Sequence, residues 1–153
     1  MIATDTGKAL QEGKPEDCFL GKLQHARIDV HKRAARALTR DGLAPTDLHI
    51  DLLRLYSDVR RVKIVTTNFD LLFEQAADDV FGSKPEVFRA PALPLGKNFN
   101  GIIHVHGAVN RPDEMVLTDA DFGRGYLTEG WARRFLVDPV SYTHLTLPTR
   151  LSV

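Results

Sequence analysis

Two aliphatic runs, Val62-Lys63-Ile64-Val65 and Ile102-Ile103, each hand over directly to a polar string. The first string is Thr66-Thr67-Asn68-Phe69-Asp70 and the second is His104-Val105-His106-Gly107. Short β-branched and aliphatic runs of this kind read as buried strands, and buried strands belong to sheets covered by helices. The polar residues therefore arrive at strand ends, and in an open α/β sheet the strand ends form the crevice where ligands bind. An amide, a carboxylate and an imidazole delivered there from two strands can make a site.

The rest of the chain supplies the helices such a sheet needs. Residues 1–14 are polar, contain glycine and lack periodicity, so they read as a loose lead-in. From Pro15 to Arg40, Phe19, Leu23, Ala26, Val30, Ala34 and Ala37 recur at steps of three and four, which predicts one amphipathic helix ended by Gly42. Pro45-Thr46-Asp47 opens a second helix with Leu48, Leu52, Leu53 and Leu55-Tyr56 on its buried side. A third helix is expected from about Asn68 through Val80, with Leu71, Leu72, Gln75-Ala76 and Val80 inward and Gly82-Ser83 as its stop. Strands are expected at Val62–Val65, Glu86–Phe88, Ile102–Val105 and Met115–Leu117, with a closing helix around Trp131 and Phe135 cut at Asp138-Pro139. Ala90 through Asn100 carries two prolines and no period, and reads as a loop over the strand ends.

Bulk properties narrow the function classes. At 153 residues the chain suits one domain. Lys plus Arg equals Asp plus Glu, 20 against 20, so no net field recruits nucleic acid or an acidic membrane. Arg27, His31, Lys32, Arg33, Arg36 and Arg40 do cluster, as a solvated helix face or as an interaction patch. Cys18 is the single cysteine, which excludes an internal disulfide and a multi-thiolate zinc site and fits a reducing compartment. With no apolar run long enough for a membrane span and no signal-peptide pattern, a cytoplasmic location is expected.

Each polar residue has a structural and a chemical reading. Asn68 and Asp70 are good helix openers, and Asn68 could act as an N-cap. Projecting into the crevice, they could instead hold ribose hydroxyls, an amide or a water. His106 could be a hydrogen-bonded structural residue, or a base whose ordinary pKa of about 6.5 suits neutral pH. Gly107 beside it lets either a ligand or another backbone approach closely. His104 and His106 share a strand face, so a His-x-His metal pair completed by Asp113, Asp119 or Asp121 is a rival.

Together, Thr66-Thr67-Asn68-Phe69-Asp70 and His106-Gly107 resemble the core of the sirtuin-like NAD-binding family, whose deacylases carry Thr-Gln-Asn-(Ile/Val)-Asp and His-Gly. Thr67 in place of Gln and Phe69 in the variable position are similar to the prokaryotic branch associated with antiphage defence, as is Met115 through Phe122. The resemblance runs from about Leu48 to Leu136. It implies an α/β fold, a partial Rossmann-like parallel sheet with flanking helices, truncated at both ends. It also implies hydrolysis of NAD, as substrate, to nicotinamide and ADP-ribose, with no metal. Asn68 and His106 are the implied catalytic residues: Asn68 positions the nicotinamide ribose or the attacking water, and His106 is the general base. The implied NAD-binding set is Thr66, Thr67, Asn68, Asp70, His106 and Gly107, with Asp70 at the nicotinamide end.

Departures from the family pattern shape the expectation. The family's Gly-rich Gly-Ala-Gly-x-Ser phosphate turn has no counterpart, since Gly7, Gly13 and Gly21 are isolated, and the four cysteines of the deacylase zinc ribbon are missing. Residues 15–137 therefore read as a partial sirtuin-like domain. Residues 138–153 read as a tail of non-native sequence, similar to strings produced when sequencing-adapter bases are translated. The expected partners are NAD and either a second copy of the chain or an associated effector or sensor domain, with neither nucleic acid nor membrane. A non-catalytic binding or oligomerisation module of the same fold is the alternative.

Overall fold

The computed structural model describes residues 15–39, 42–94 and 99–140. Its centre is a sheet of three parallel strands, β1 (Lys63–Thr66), β2 (Val87–Arg89) and β3 (Gly101–His104), in the order β1-β3-β2. Strand β3 lies in the middle and is buried along its whole length. Its successive residues serve opposite faces. Ile102 packs with Leu53, Val62, Ala76 and Ala77, whereas Ile103 packs with Phe99, Val105, Ala132 and Phe135. The first cluster seats helices α3 (Asp47–Arg54) and α4 (Leu72–Phe81), and the second seats α6 (Trp131–Val140). Helix layers on both faces of a parallel sheet make this an α/β fold, the partial Rossmann-like arrangement expected.

Several elements depart from expectation for identifiable reasons. The single helix expected from Pro15 to Arg40 is two: α1 (Glu16–His25) and α2 (Val30–Leu38). Asp29 breaks it, because its carboxylate accepts the Lys32 N–H at 3.0 Å as an N-cap, and Arg27 adopts a left-handed φ of 62°. Helix α2 ends at Leu38 well before Gly42, and Arg40 lies outside the described residues. In α3, Leu53 is buried, but Leu48 and the C-cap Leu55 are 61% and 74% exposed and do not join the inner face. Helix α4 begins at Leu72, four residues after Asn68, so Asn68 is not its N-cap. Its inward face carries Glu74, Ala76 and Ala77, whereas Gln75 is exposed. Gly82 ends it as expected, with φ 65° and its N–H donating to the Asp78 carbonyl at 2.8 Å.

Met115–Leu117 is not a fourth strand: Val116 makes one main-chain bond, its N–H to the His106 carbonyl at 2.8 Å, without a ladder among the described residues. Helix α6 runs past Asp138-Pro139 to Val140. The remainder of the tail, like the lead-in 1–14, lies outside the described residues.

Helix α2 closes the end of the sheet from which the two polar strings emerge. Ala34 and Ala35 pack with Val109 and Met115, and Phe69, Leu71 and Leu117 border that cluster. The basic segment splits in two. Arg27, Lys32 and Arg36 are exposed, but His31 is buried and its Nε2 lies 2.8 Å from Asp121 Oδ2. Asp121 belongs to the short helix α5 (Asp119–Phe122), capped by Thr118. Its carboxylate also accepts the N–H groups of Leu117 and Thr118, the Thr118 hydroxyl and the Arg124 guanidinium.

Burial alone would raise the Asp121 pKa, but these donors outweigh it and hold the carboxyl well below the usual carboxylate range. The same bond raises the pKa of His31 against the effect of burial. The two shifts bound a pH window. The Asp121 contribution to stability is present above the ordinary carboxylate pKa and is lost as pH falls through its depressed folded value. The His31 contribution is complete below its unfolded value of about 6.5 and is lost as pH rises through the raised folded value. Thermal melts from about pH 6 to 9 should show wild-type stability falling relative to His31→Gln, and parallel curves would refute the assignment.

Candidate active site

The last register of the sheet sets side by side Thr66 of β1, His104 of β3 and Arg89 of β2. Beyond it the chain leaves β1 through Thr67–Leu71 and leaves β3 through Val105–Val109. The two loops are bonded to each other. Val105 N–H donates to the Thr66 carbonyl at 3.0 Å, and Val109 N–H donates to the Phe69 carbonyl at 2.8 Å. The rings of Phe69 and His106 lie 6.4 Å apart between centroids.

Thr66 Oγ1 accepts the Asn68 N–H at 3.0 Å, which places Asn68 half-buried in the turn above the strand. Thr67 is exposed. Asp70 Oδ1 accepts the Leu72 N–H at 3.1 Å, so this carboxylate satisfies the first main-chain N–H of α4, whose N-cap position is Leu71. Gly107 has a φ of 82°, and a Cβ there would meet the Glu114 carbonyl oxygen at 2.7 Å and Met115 Cα at 3.0 Å. A neighbouring backbone thus passes as close to this glycine as a Cβ-less residue allows.

His106 is half-buried in an aromatic nest. Phe122 and Tyr126 stand edge-on to its ring at centroid distances of 5.3 and 5.9 Å, and its Nε2 shares a 2.7 Å hydrogen bond with the Tyr126 hydroxyl. Burial lowers the His106 pKa and raises that of Tyr126, so near neutral pH a neutral imidazole faces a neutral phenol. Tyr126 lies on a π-helical segment, Gly123–Thr128, a form often found at functional sites. Sequence reading passed over Tyr126, although its spacing of four from Phe122 is the signal that pairs the two rings on one helical face.

The residues of the rival metal pair are committed elsewhere. His104 is fully buried, with Nδ1 donating to the Asn68 carbonyl at 3.0 Å and Nε2 at 3.0 Å from Glu74 Oε1. Asp121 is saturated with donors, while Asp113 and Asp119 are exposed. Among the described residues no group of three or more His, Cys, Asp or Glu side chains converges as a metal site. Glu74 and Arg89 were also missed. The signal for Glu74 was its place one turn before Ala77 on the inward face of α4.

An amide-bearing residue on one loop and a half-buried imidazole on the next stand at the ends of parallel strands, the end of the sheet at which open α/β proteins bind ligands. A family model described as a SIR2-like domain matches residues 62–147, and the chain belongs to the SIR2-like family. It is also 37% identical over 148 residues to "Uncharacterized protein y4cA" of Sinorhizobium fredii. That match covers 85% of this chain but only 12% of the relative. Membership of this family suggests an NAD-related function for the chain. No helix among the described residues is long and apolar enough to cross a membrane.

Proposed function

We propose that this chain carries the catalytic half of an NAD glycohydrolase site, of the prokaryotic sirtuin-like type associated with antiphage defence. The observation that carries the reading is the pair of interbonded loops that holds Asn68 and His106 at adjacent strand ends, in a chain of the SIR2-like family. In this reading Asn68 orients the nicotinamide ribose or the attacking water, and Asp70 holds the nicotinamide end. His106 takes the water proton as oxygen bonds to the ribose carbon and the C–N bond breaks, nicotinamide leaving with the electron pair. The transition state has oxocarbenium character, so orientation of the nucleophile matters more than its strength. The aromatic nest around His106 supports this by excluding bulk water and keeping the imidazole neutral.

The test is release of nicotinamide from NAD by the full-length protein, followed against pH. Because burial lowers the His106 pKa, the acid limb of kcat/KM should be centred below about 6.5, the ordinary histidine value. A limb centred above it would remove His106 as the base. Saturable NAD binding without nicotinamide release would favour the non-catalytic module of the same fold.

A further inference from the structure

His104 is not absorbed by the reading above, yet it is the most deeply buried polar side chain near the candidate site, together with Thr118 at 0% exposure. Its surroundings are unusual for a parallel-sheet core. Nε2 faces Glu74 Oε1, and Arg89 Nη2 lies 3.6 Å from that same oxygen. Glu74 is 7% exposed, and among the described residues its second oxygen, Oε2, has no hydrogen-bond partner; neither has the buried Nε of Arg89. Burying a charged cluster with two unmet polar atoms costs stability that an apolar row would not. A specific geometric task is one reason to retain it.

The hydrogen bonds identify that task. The Asn68 N–H donates to Thr66 Oγ1 at 3.0 Å, while its carbonyl accepts from His104 Nδ1 at 3.0 Å. Both peptide groups of one residue are thus held by side chains that stand together in the last register of the sheet. The following carbonyl, that of Phe69, is held by Val109 N–H from the His106 loop. A side chain takes its direction from its own backbone, so a clamp on both sides of Asn68 sets where its amide points.

We propose that His104, held by the buried Glu74–Arg89 pair, is a positioning residue that clamps the Asn68 main chain. The inference rests on the NAD reading for its kinetic arm only. The test compares His104→Asn with His104→Gln. The Asn amide nitrogen can replace Nδ1 and keep the bond to the Asn68 carbonyl. The Gln amide reaches the Nε2 position and keeps only the contact with Glu74. Without NAD, hydrogen exchange at the Asn68 and Leu72 amides should quicken in His104→Gln and stay near wild type in His104→Asn.

With NAD and the full-length protein, kcat should fall about 30- to 100-fold in His104→Gln but stay within about fivefold of wild type in His104→Asn, with KM little changed in either. Equal losses in both variants that track their melting temperatures would overturn the clamp, as would unaltered exchange in His104→Gln. If neither variant folds, Thr66→Val opens the other side of the clamp and must quicken exchange at Asn68, with Thr66→Ser restoring it; failure there also overturns it. A wild-type protein that neither binds nor cleaves NAD defeats the NAD reading, and the exchange arm then decides the clamp alone.

Discussion

His106→Ala lowers nicotinamide release by about 10²- to 10⁴-fold, the range in which a positioned general base contributes. The size follows from the site's construction. The imidazole is kept neutral by burial, fixed at Nε2 by the Tyr126 hydroxyl and flanked edge-on by Phe122. A ring held in one orientation loses little freedom when it accepts a proton, so its removal is felt in kcat more than in KM. Truncation also leaves a void among Phe69, Phe122 and Tyr126, and His106→Gln separates the two effects. It keeps bulk and hydrogen bonding but has no usable basicity, and it should lose nearly as much activity while melting closer to wild type. Asn68→Ala should lose comparable activity without a base defect, so its residual rate keeps the wild-type acid limb. NAD cleavage undiminished in both Asn68→Ala and His106→Ala would end the glycohydrolase reading.

Gly101→Ala should be the most damaging small substitution for stability. Three segments of the chain converge at this residue. Its N–H donates to the Val62 carbonyl at 2.6 Å, and the next amide, of Ile102, donates to the Glu86 carbonyl at 2.9 Å. Its φ is 141°, in the region that L side chains rarely adopt, and an added Cβ would overlap the Glu86 carbonyl. The obstacle is backbone, so no rotamer change relieves it; β2 would have to move away from the central strand. Backbone strain and overpacking each cost about 1–3 kcal/mol, giving a loss of about 4 kcal/mol. For a domain of this size that is about 8–16 °C in melting temperature. A melt within about 2 °C of wild type would show that the strand entry tolerates a Cβ. Because β3 carries His104 and leads into His106, activity should fall along with stability.

The strands at Lys63–Thr66 and Gly101–His104 were legible because uninterrupted aliphatic runs have few other uses in a chain this short. The stop at Gly82 and the start at Asp47 were legible because turn and cap chemistry is local. The failures share a cause. Ala26 through Ala37 keep a helical period, but Asp29 offers a cap that periodicity does not register, and splitting the helix lets His31 reach Asp121, 90 residues away. Leu48 and Leu55 fit an apolar stripe yet face outward, since a period says which residues share a side and not how wide the covered stripe is. Asn68 is not a cap because a cap is defined by where the helix begins, and packing of α4 against α3 and the sheet sets that point.

The sequence alone determined the class of fold and the places where chemistry could sit, because strand burial and the polar residues that end a strand are properties of contiguous residues. Only the tertiary structure decided what each polar group does. It set His104 against the Asn68 carbonyl, brought the backbone of Glu114 close to Gly107 and set Tyr126 against His106. The physical reason is that a hydrogen bond is chosen by distance in space. The partners of these groups lie up to 36 residues away along the chain, where no local pattern ties them together.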